Sequence, residues 1–358
     1  MFDAVNWRCE AARVADAMIH MKNDSGMKEK YPVGLIDIEL WEWPQGVGLY
    51  GLMRYYQATG DRGTFDFLTG WMDRHISAAE PEHNVNTTIP CLTMQWLAEQ
   101  TGNPIYRKWC EDWAEWVMNG LIRTGDGAFQ HMITGDPNDS QILIDTLFMA
   151  VLFLAKMGRV LNRKDYIEEA KKQILIHIKY LFDARTGLFY HGYDFRGHHH
   201  YGAVHWGRGN AWFTAVAAEL LNEMELESGL RSYLRDTFED QCRALIALQD
   251  ESGLWHTVLD DPDSYLETSA TACIAYGILR GIHTGSLPQD MMEPAMKAVN
   301  AVVEKIDENG VVQGVSYGTP VGSDADFYKT IPVCPMTYGQ SLTLLMLSEV
   351  PLGAERKD

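Results

Sequence analysis

The chain has 358 residues, 46% of them hydrophobic and 22% charged, and its 30 basic against 49 acidic side chains give a formal net charge of −19. This composition is typical of a folded globular protein and argues against a disordered chain. The acidic balance also argues against a protein whose main task is to bind nucleic acid or an anionic membrane, although a pocket can be locally positive.

The sequence carries no recognisable targeting or membrane signal. Its first residues lack a basic stretch followed by an apolar run, which argues against a signal peptide. No segment approaches about 18 uncharged apolar residues, the length that a spanning helix needs. The six cysteines are scattered without a C-x-x-C pair, as in a reduced protein. We therefore predict a cytoplasmic protein of enzyme size.

Helical periodicity dominates the chain. It predicts twelve helices, near residues 3–20, 45–59, 62–77, 88–100, 104–119, 142–158, 164–182, 209–227, 229–248, 267–283, 288–306 and 337–349. Turns rich in Gly and Asp join them, and no segment is strand-rich enough to predict a sandwich or a Rossmann sheet. No composition shift or linker divides the chain, so we predict a single all-α domain over residues 1–358.

A repeated loop gives the arrangement of these helices. Four times a Gly turn and a short apolar segment follow a helix, and the glycines are 60, 66 and 57 residues apart: Gly127, Gly187, Gly253 and Gly310. A unit of this length holds two antiparallel helices and a hairpin-like excursion. Six units make an (α/α)6 barrel, a six-hairpin toroid with short β-hairpin excursions at its mouth. The alternative, an irregular helical bundle, would not predict recurrent loops of one type.

The N-terminal ends of the inner helices should face the pocket of such a ring. They carry aromatic, amide, cationic and carboxylate side chains, and the excursions add histidines. Sugar sites need this mixture, because apolar sugar faces stack on indole rings while hydroxyls need directional partners. The candidate substrate-binding residues are Trp41, Trp43, Asn86, His131, His191, Trp206, Arg208, Trp212 and Tyr338.

Asp145 is the candidate catalytic residue, at the head of an apolar run that extends to Leu154. Burial there raises the pKa of a carboxyl group, whereas the helix N-terminus lowers it. If burial prevails, we expect Asp145 to donate a proton near neutral pH. The alternative is a helix N-cap, a role that Asp often fills.

Arg208 lies between two glycines and two tryptophans, in the segment Trp206-Gly207-Arg208-Gly209-Asn210-Ala211-Trp212. The glycines let the backbone turn tightly and leave the guanidinium unobstructed. This suits a bidentate grip on a carboxylate, with indole rings as platforms. The alternative is an ion pair with a neighbouring acid. His131 and His191 occupy equivalent positions of two repeats, so a structural role is an alternative for both.

Metal and nucleotide sites are poorly supported. His198, His199 and His200 are consecutive, whereas metal ligands favour spaced positions on defined elements. We predict an exposed loop there, without a metal. A P-loop, a dinucleotide fingerprint and a nucleophile elbow are all absent from the sequence.

Two motifs carry a family resemblance: the segment Asp145-Thr146-Leu147-Phe148-Met149-Ala150 and residues 206–212. In order and separation they resemble those of the unsaturated rhamnogalacturonyl hydrolases, glycoside hydrolase family 105, which are related to the unsaturated glucuronyl hydrolases of family 88. The aromatic residues Trp41 and Trp43 and the helix pairs fit as well, so the resemblance covers most of the chain. It implies an (α/α)6 barrel, no metal, no cofactor, and an exo-acting glycosidase of pectin degradation.

The resemblance also implies a mechanism, hydration of a vinyl ether. The substrates are lyase products with a 4,5-unsaturated uronic acid at the non-reducing end, most simply unsaturated galacturonyl-rhamnose. By analogy Asp145 protonates C4 and then activates the water that adds at C5. Arg208, Trp206 and His191 would form the uronate subsite, with Trp212 near the next sugar and His131 near the ring. Asn86 stands where relatives commonly carry Asp, and its amide can keep the hydrogen bonds to sugar hydroxyls but not the charge.

Several alternatives stay open at this stage. One is an unsaturated glucuronyl hydrolase acting on glycosaminoglycan or other glucuronyl oligosaccharides. A conventional glycosidase would pair Asp145 with Glu267 or Asp139. A sugar epimerase or isomerase would use His131, His191 or His256 as proton carriers, and a non-catalytic glycan-binding protein is the remaining class. In every case we expect a small oligosaccharide or sugar ligand and a monomer or small homo-oligomer.

Overall fold

Helices alternate between an inner and an outer layer in the computed structural model, which describes residues 4–22 and 36–350. In chain order they are α1 (Ala4–Ile19), α2 (Trp43–Thr59), α3 (Arg62–Ile76), α4 (Val85–Thr88), α5 (Pro90–Thr101), α6 (Pro104–Asn119), α7 (Leu152–Val160), α8 (Lys164–Leu181), α9 (Gly207–Glu223), α10 (Ser228–Ala247), α11 (Thr268–His283), α12 (Met292–Val303), α13 (Ala325–Lys329) and α14 (Thr337–Glu349). A π-helical turn (Leu147–Val151) precedes α7, and a 3₁₀ turn (Gln289–Met291) precedes α12.

The inner layer closes into a ring. Helices α2, α5, α7, α9, α11 and α14 pack side by side in this order, and α14 contacts α2. Their burial explains the layering: α9 is buried on all sides from Gly207 to Leu221, whereas the outer helix α6 buries a single stripe. A Cβ atom at Gly277 of α11 would lie 2.6 Å from Thr214 of α9, so glycine permits this close approach. The predicted (α/α)6 barrel is confirmed.

Short antiparallel strands rise at the mouth of the ring. β1 (Gln141–Leu143), β4 (Gly192–Asp194) and β5 (His199–Tyr201) form a three-stranded sheet in the order β1-β4-β5. Gln141 pairs with Asp194 in this sheet, and Gly192 pairs with Tyr201. Two hairpins complete the excursions, β2 (Phe182–Asp183) with β3 (Leu188–Phe189) and β6 (Trp255–His256) with β7 (Leu266–Glu267).

The four repeated loops share one backbone conformation. Their turn glycines all have φ between 76° and 93°: Gly127, Gly187, Gly253 and Gly310. Glycine adopts this left-handed region without steric cost, which explains its recurrence. Two residues further on in three of these loops, a backbone N–H donates to a side chain of the following inner helix, as in Phe189 N–H to Asn210 Oδ1 (2.8 Å) and Trp255 N–H to Thr271 Oγ1 (3.0 Å). In the first loop, Phe129 N–H donates instead to Gln173 Oε1 of the outer helix α8.

The structure corrects two details of the predicted elements. The helix predicted near 142–158 begins instead as strand β1, because Ile142 and Leu143 pair with β4, and short apolar runs fit a buried strand as well as a helix. Helices α4 and α13 were not predicted, since four and five residues are too few to show periodicity. No helix of the described residues is long and apolar enough to cross a membrane.

Buried histidines should make the fold sensitive to acid. His177 of α8 is fully buried, its Nδ1 lies 2.7 Å from the Gln173 carbonyl oxygen, and burial lowers its pKa to about 4. Between about pH 6.5 and pH 4 the unfolded chain therefore binds a proton that the folded chain does not. The free energy of unfolding consequently decreases as the pH is lowered, by up to about 3 kcal/mol for this group.

We expect His177→Gln to reduce this pH dependence. Urea unfolding between pH 4.5 and 7 measures the slope of the unfolding free energy against pH. In the variant this slope should be shallower, by an amount that corresponds to the binding of up to one proton. An unchanged slope would show that His177 titrates normally in the folded chain.

Candidate active site

A cavity of about 480 Å³ opens at the mouth of the ring. The N-terminal ends of inner helices, the β1-β4-β5 sheet and residues 319–321 supply its walls. Seven of the ten predicted site residues line it: Trp43, Asn86, His131, Asp145, His191, Trp206 and Arg208.

Asp145 lies between β1 and the π-helical turn, with 16% of its side chain exposed. Trp212 Nε1–H donates to its Oδ1 at 3.2 Å. Its Oδ2 lies 3.4 Å from His191 Nε2. The N-cap position of the turn belongs to Thr146, so the Asp145 carboxylate lines the cavity and does not cap the helix.

The structure decides between the opposing effects on the pKa of Asp145, which the sequence left open. Burial raises it, but the hydrogen bond from the His191 ring, supported by the electrostatic effect of the His191 and His131 rings, outweighs burial and holds the pKa below its usual range. The condition that burial prevails is therefore not met in the unliganded protein, in which Asp145 is ionised near neutral pH. His131 is neutral there, because burial lowers its pKa to about 4 while its Nδ1 lies 2.8 Å from Thr146 Oγ1.

Arg208 is held rigidly at the start of α9, with 1% of its side chain exposed. Its guanidinium carbon lies 4.8 Å from the Trp206 ring centre and 4.7 Å from that of Tyr338. Nη1 donates to Ser316 Oγ at 2.5 Å and Nη2 donates to Thr319 Oγ1 at 3.0 Å. The Nε–H has no acceptor among the described residues.

The two carboxylates considered as partners of Asp145 have other contacts. Glu267 accepts the backbone N–H groups of Ala270 and Ser316 at 2.5 and 2.7 Å, and it lies 3.8 Å from Arg208 Nη1. It is not part of the cavity lining. The ion pair considered for Arg208 is therefore present, although it is long. Asp139 lies on the exposed rim and is ion-paired with Arg196.

Three predicted substrate-binding residues lie behind the lining. Trp41 stacks on Trp71 and donates its Nε1–H to the Thr87 carbonyl oxygen at 2.8 Å. Trp212 is fully buried against Asp145, and Tyr338 is fully buried between Trp43 and Arg208. The structure thus gives these residues supporting positions instead of the predicted substrate contacts.

Other residues of the site were not predicted. The lining also includes Asp136, Gln141, Asp194, Arg196, Tyr201 and Thr319, which lie on excursions and loops without periodicity. Tyr328 of α13 reaches His191 from behind, and nothing in the sequence around it signals this contact.

The three consecutive histidines belong partly to strand β5, since His199 and His200 pair with β4. His200 Nε2 lies 2.8 Å from the Tyr180 carbonyl oxygen, and His198 occupies a turn with φ 53°. The described residues contain no group of three or more His, Cys, Asp or Glu side chains placed to hold a metal ion. His256, considered for an epimerase, lies 2.5 Å from the Ser264 carbonyl oxygen through its Nδ1 and is not part of the lining.

Comparison with known proteins supports the resemblance that the motifs indicate. The family model described as Glycosyl Hydrolase Family 88 matches residues 10–352. The chain is 36% identical to "Unsaturated rhamnogalacturonyl hydrolase YesR" of Bacillus subtilis over 313 residues, 87% of this chain and 89% of that protein. It is 25% identical to "Unsaturated 3S-rhamnoglycuronyl hydrolase" of an Alteromonas species over 328 residues, 86% of this chain and 77% of that one.

A solved structure agrees with these sequence matches. A crystal structure from Salmonella enterica, described as "a possible member of GH105 family", superposes with a TM-score of 0.95 at 38% identity and covers 99% of this chain and 96% of its own. The ring, the family model and the Bacillus subtilis relative all extend over most of the sequence. The chain is therefore a glycoside hydrolase that belongs to Glycosyl Hydrolase Family 88.

Proposed function

We propose that this enzyme removes the 4,5-unsaturated uronic acid from the non-reducing end of lyase-generated oligosaccharides. One observation carries the proposal: the Asp145 carboxylate lines the cavity, held by Trp212 and facing His191, with Arg208 in the same wall. A single carboxyl group of this kind is sufficient for hydration of a vinyl ether, whereas ordinary glycosidases need two at a set separation.

Unpartnered donors support an anionic ligand. Arg208 Nε and Trp206 Nε1 are buried and have no hydrogen-bond partner among the described residues, although both side chains line the cavity. Buried polar groups are nearly always paired, so a cavity lined by unpaired donors fits a ligand that brings acceptors. A uronate carboxylate brings two acceptor oxygens.

The proposed reaction balances with one molecule of water. The carboxyl proton of Asp145 moves to C4 as the C4=C5 electron pair forms the new C–H bond, and positive charge develops on C5 and the ring oxygen. Water then attacks C5 and returns a proton to Asp145. The hemiketal opens, and the hemiacetal that this leaves at C1 releases the aglycone.

The low pKa of Asp145 requires a source for that first proton. The unliganded carboxyl group is ionised near neutral pH because of the His191 ring. A bound uronate carboxylate adds a like charge to the same cavity, and like charges raise the pKa of a carboxyl group. We propose that substrate binding raises the pKa of Asp145, so that its carboxyl group takes up the proton that it then donates.

The cavity rim supports a neutral aglycone such as rhamnose. Besides Asp145, three carboxylates and one cation of the rim line the cavity: Asp136, Asp139, Asp194 and Arg196. Asp139 is ion-paired with Arg196, so the remaining charge at the rim is negative. A sulfated aglycone would meet this charge unfavourably. The name of the Bacillus subtilis relative favours unsaturated galacturonyl-rhamnose as the substrate, and glucuronyl oligosaccharides of glycosaminoglycans are the alternative.

The test is the ultraviolet absorbance of the conjugated double bond. We expect the enzyme to bleach unsaturated galacturonyl-rhamnose, that is, to abolish this absorbance. The value of kcat/KM should be at least about tenfold lower on the same disaccharide sulfated on rhamnose and on a sulfated glycosaminoglycan disaccharide. Equal rates would contradict the neutral aglycone. No bleaching of any of them, with cleavage or epimerisation of saturated sugars, would overturn the proposed function.

We further propose that residues 1–358 form a single catalytic domain that acts in the cytoplasm as a monomer or small homo-oligomer. All six cysteines are free thiols and four of them are buried, which fits a reducing compartment. Cell fractionation and the mass of the purified enzyme in solution test this point.

A further inference from the structure

Tyr328 stands directly behind the proposed catalytic pair. It lies on α13, is fully buried, and packs with Val204, Trp206 and Val258 in a small cluster beside the main core. Its hydroxyl oxygen lies 2.5 Å from Nδ1 of His191. Tyr328 does not line the cavity, so it has no contact with a substrate there.

The hydroxyl is oriented by a second contact. The backbone N–H of Gly322 donates to the Tyr328 oxygen at 3.3 Å, which leaves the hydroxyl proton available for His191 Nδ1. With Nδ1 accepting, the neutral imidazole carries its proton on Nε2, which lies 3.4 Å from Asp145 Oδ2. The opposite tautomer would place the Nε2 lone pair against the carboxylate.

The main chain of His191 is fixed independently of Tyr328. Its N–H donates to the Val204 carbonyl oxygen at 3.1 Å, and its own carbonyl oxygen accepts from Ile144 N–H at 3.0 Å. The ring packs on Trp206 with centroids 4.2 Å apart. Tyr328 therefore determines which ring nitrogen of His191 carries the proton, and it does not determine the position of the main chain.

We infer that Tyr328 is a positioning residue that holds His191 with its Nε2 proton directed at Asp145. The inference rests on the proposed function for its catalytic consequence, although the contact itself does not. When the pair carries an extra proton, the same hydroxyl can accept from Nδ1–H, so it serves both protonation states. Asp145 contacts Nε2, and His131 and Tyr201 are the other titratable groups near this pair.

The first test is the pH dependence of Tyr328→Phe. The ring and its packing stay, but Nδ1 loses its partner, and the loss is greater for the charged imidazole because its hydrogen bonds are stronger. We expect the basic limb of the kcat profile to move by about one pH unit toward acid and kcat at neutral pH to fall about tenfold, with KM within about threefold.

Two controls separate positioning from damage to the fold. Tyr106→Phe removes another buried hydroxyl, bonded to Asp73 at 2.6 Å on the outer layer, and should leave the profile unchanged. In a His191→Gln background, Tyr328→Phe should have little further effect on kcat, because both changes remove the same interaction. Additive losses, or a fall in kcat without a shift of the profile, would overturn the inference.

A measurement without substrate keeps the two proposals distinct. Nitrogen-15 NMR of the histidine rings, with the His191 signals identified by their loss in His191→Gln, should show neutral His191 protonated on Nε2 in the wild type and a mixture of tautomers in Tyr328→Phe. Protonation on Nδ1 in the wild type would refute the role of Tyr328. Failure of the wild type to bleach unsaturated uronides would refute the proposed function alone.

Discussion

Asp145→Asn is expected to lower kcat by about 1,000-fold or more, because one group that serves as both acid and base contributes at the upper end of what such groups supply. The amide has the shape of the carboxylate, and its oxygen can still accept from Trp212 Nε1–H. Folding should therefore persist. Substrate binding should be retained or tightened, since the variant lacks the negative charge that repels a uronate. Single-turnover bleaching of the substrate and equilibrium binding of the same disaccharide measure the two effects.

The chain offers a matched control for this substitution. Asp61 accepts Thr64 N–H at 2.9 Å as the N-cap of α3, and Asn is an equally good cap. Asp61→Asn should thus keep full turnover and stability. Turnover by Asp145→Asn above about a tenth of the wild-type rate would exclude Asp145 as the acid and base.

The fold was predictable because its signals are periodic and repeated. Inner helices such as α9 are apolar all round, and outer helices such as α6 carry one apolar stripe, so the twelve predicted helices of the ring were found. The turn glycines recur because each needs positive φ. The start of the predicted helix at residue 142 failed because pairing with β4, a contact across about fifty residues, determines the strand.

The site was predictable where a residue begins an inner helix and unpredictable where a loop reaches it. Arg208 and Trp206 stand at the start of α9 and line the cavity as expected. Trp212 was assigned to the sugar because its indole suits stacking, but one turn further along the helix it is buried beneath Asp145. Tyr328 enters from a helix of five residues, and only the folded ring brings it to His191.

Arg208 connects binding at the site with stability of the ring. Its guanidinium is buried between two aromatic rings, donates to main-chain and hydroxyl oxygens of residues 316–319, and lies 3.8 Å from the buried carboxylate of Glu267. Removing it entirely leaves Glu267 as a buried charge without its cation. Arg208→Ala should consequently lower the free energy of unfolding by about 3–5 kcal/mol, which would obscure any effect on binding.

Arg208→Lys is therefore the informative substitution. It retains a positive charge beside Glu267 and between the rings of Trp206 and Tyr338, so most of the stability should remain. It removes the planar set of donors, including the unpartnered Nε–H, and should raise KM by about 30- to 100-fold with a smaller change in kcat, because the lost contacts bind the uronate in ground and transition states alike.

A substrate with a methyl-esterified uronate completes the test of Arg208. Esterification removes the charge that the guanidinium is proposed to bind, so the wild type should lose about as much in kcat/KM on the ester as Arg208→Lys loses on the free acid. Replacing the free acid by the ester should then lower kcat/KM of Arg208→Lys only a little further. A full additional loss would show that Arg208 and the carboxylate act separately, and that the arginine serves the ring and not the substrate.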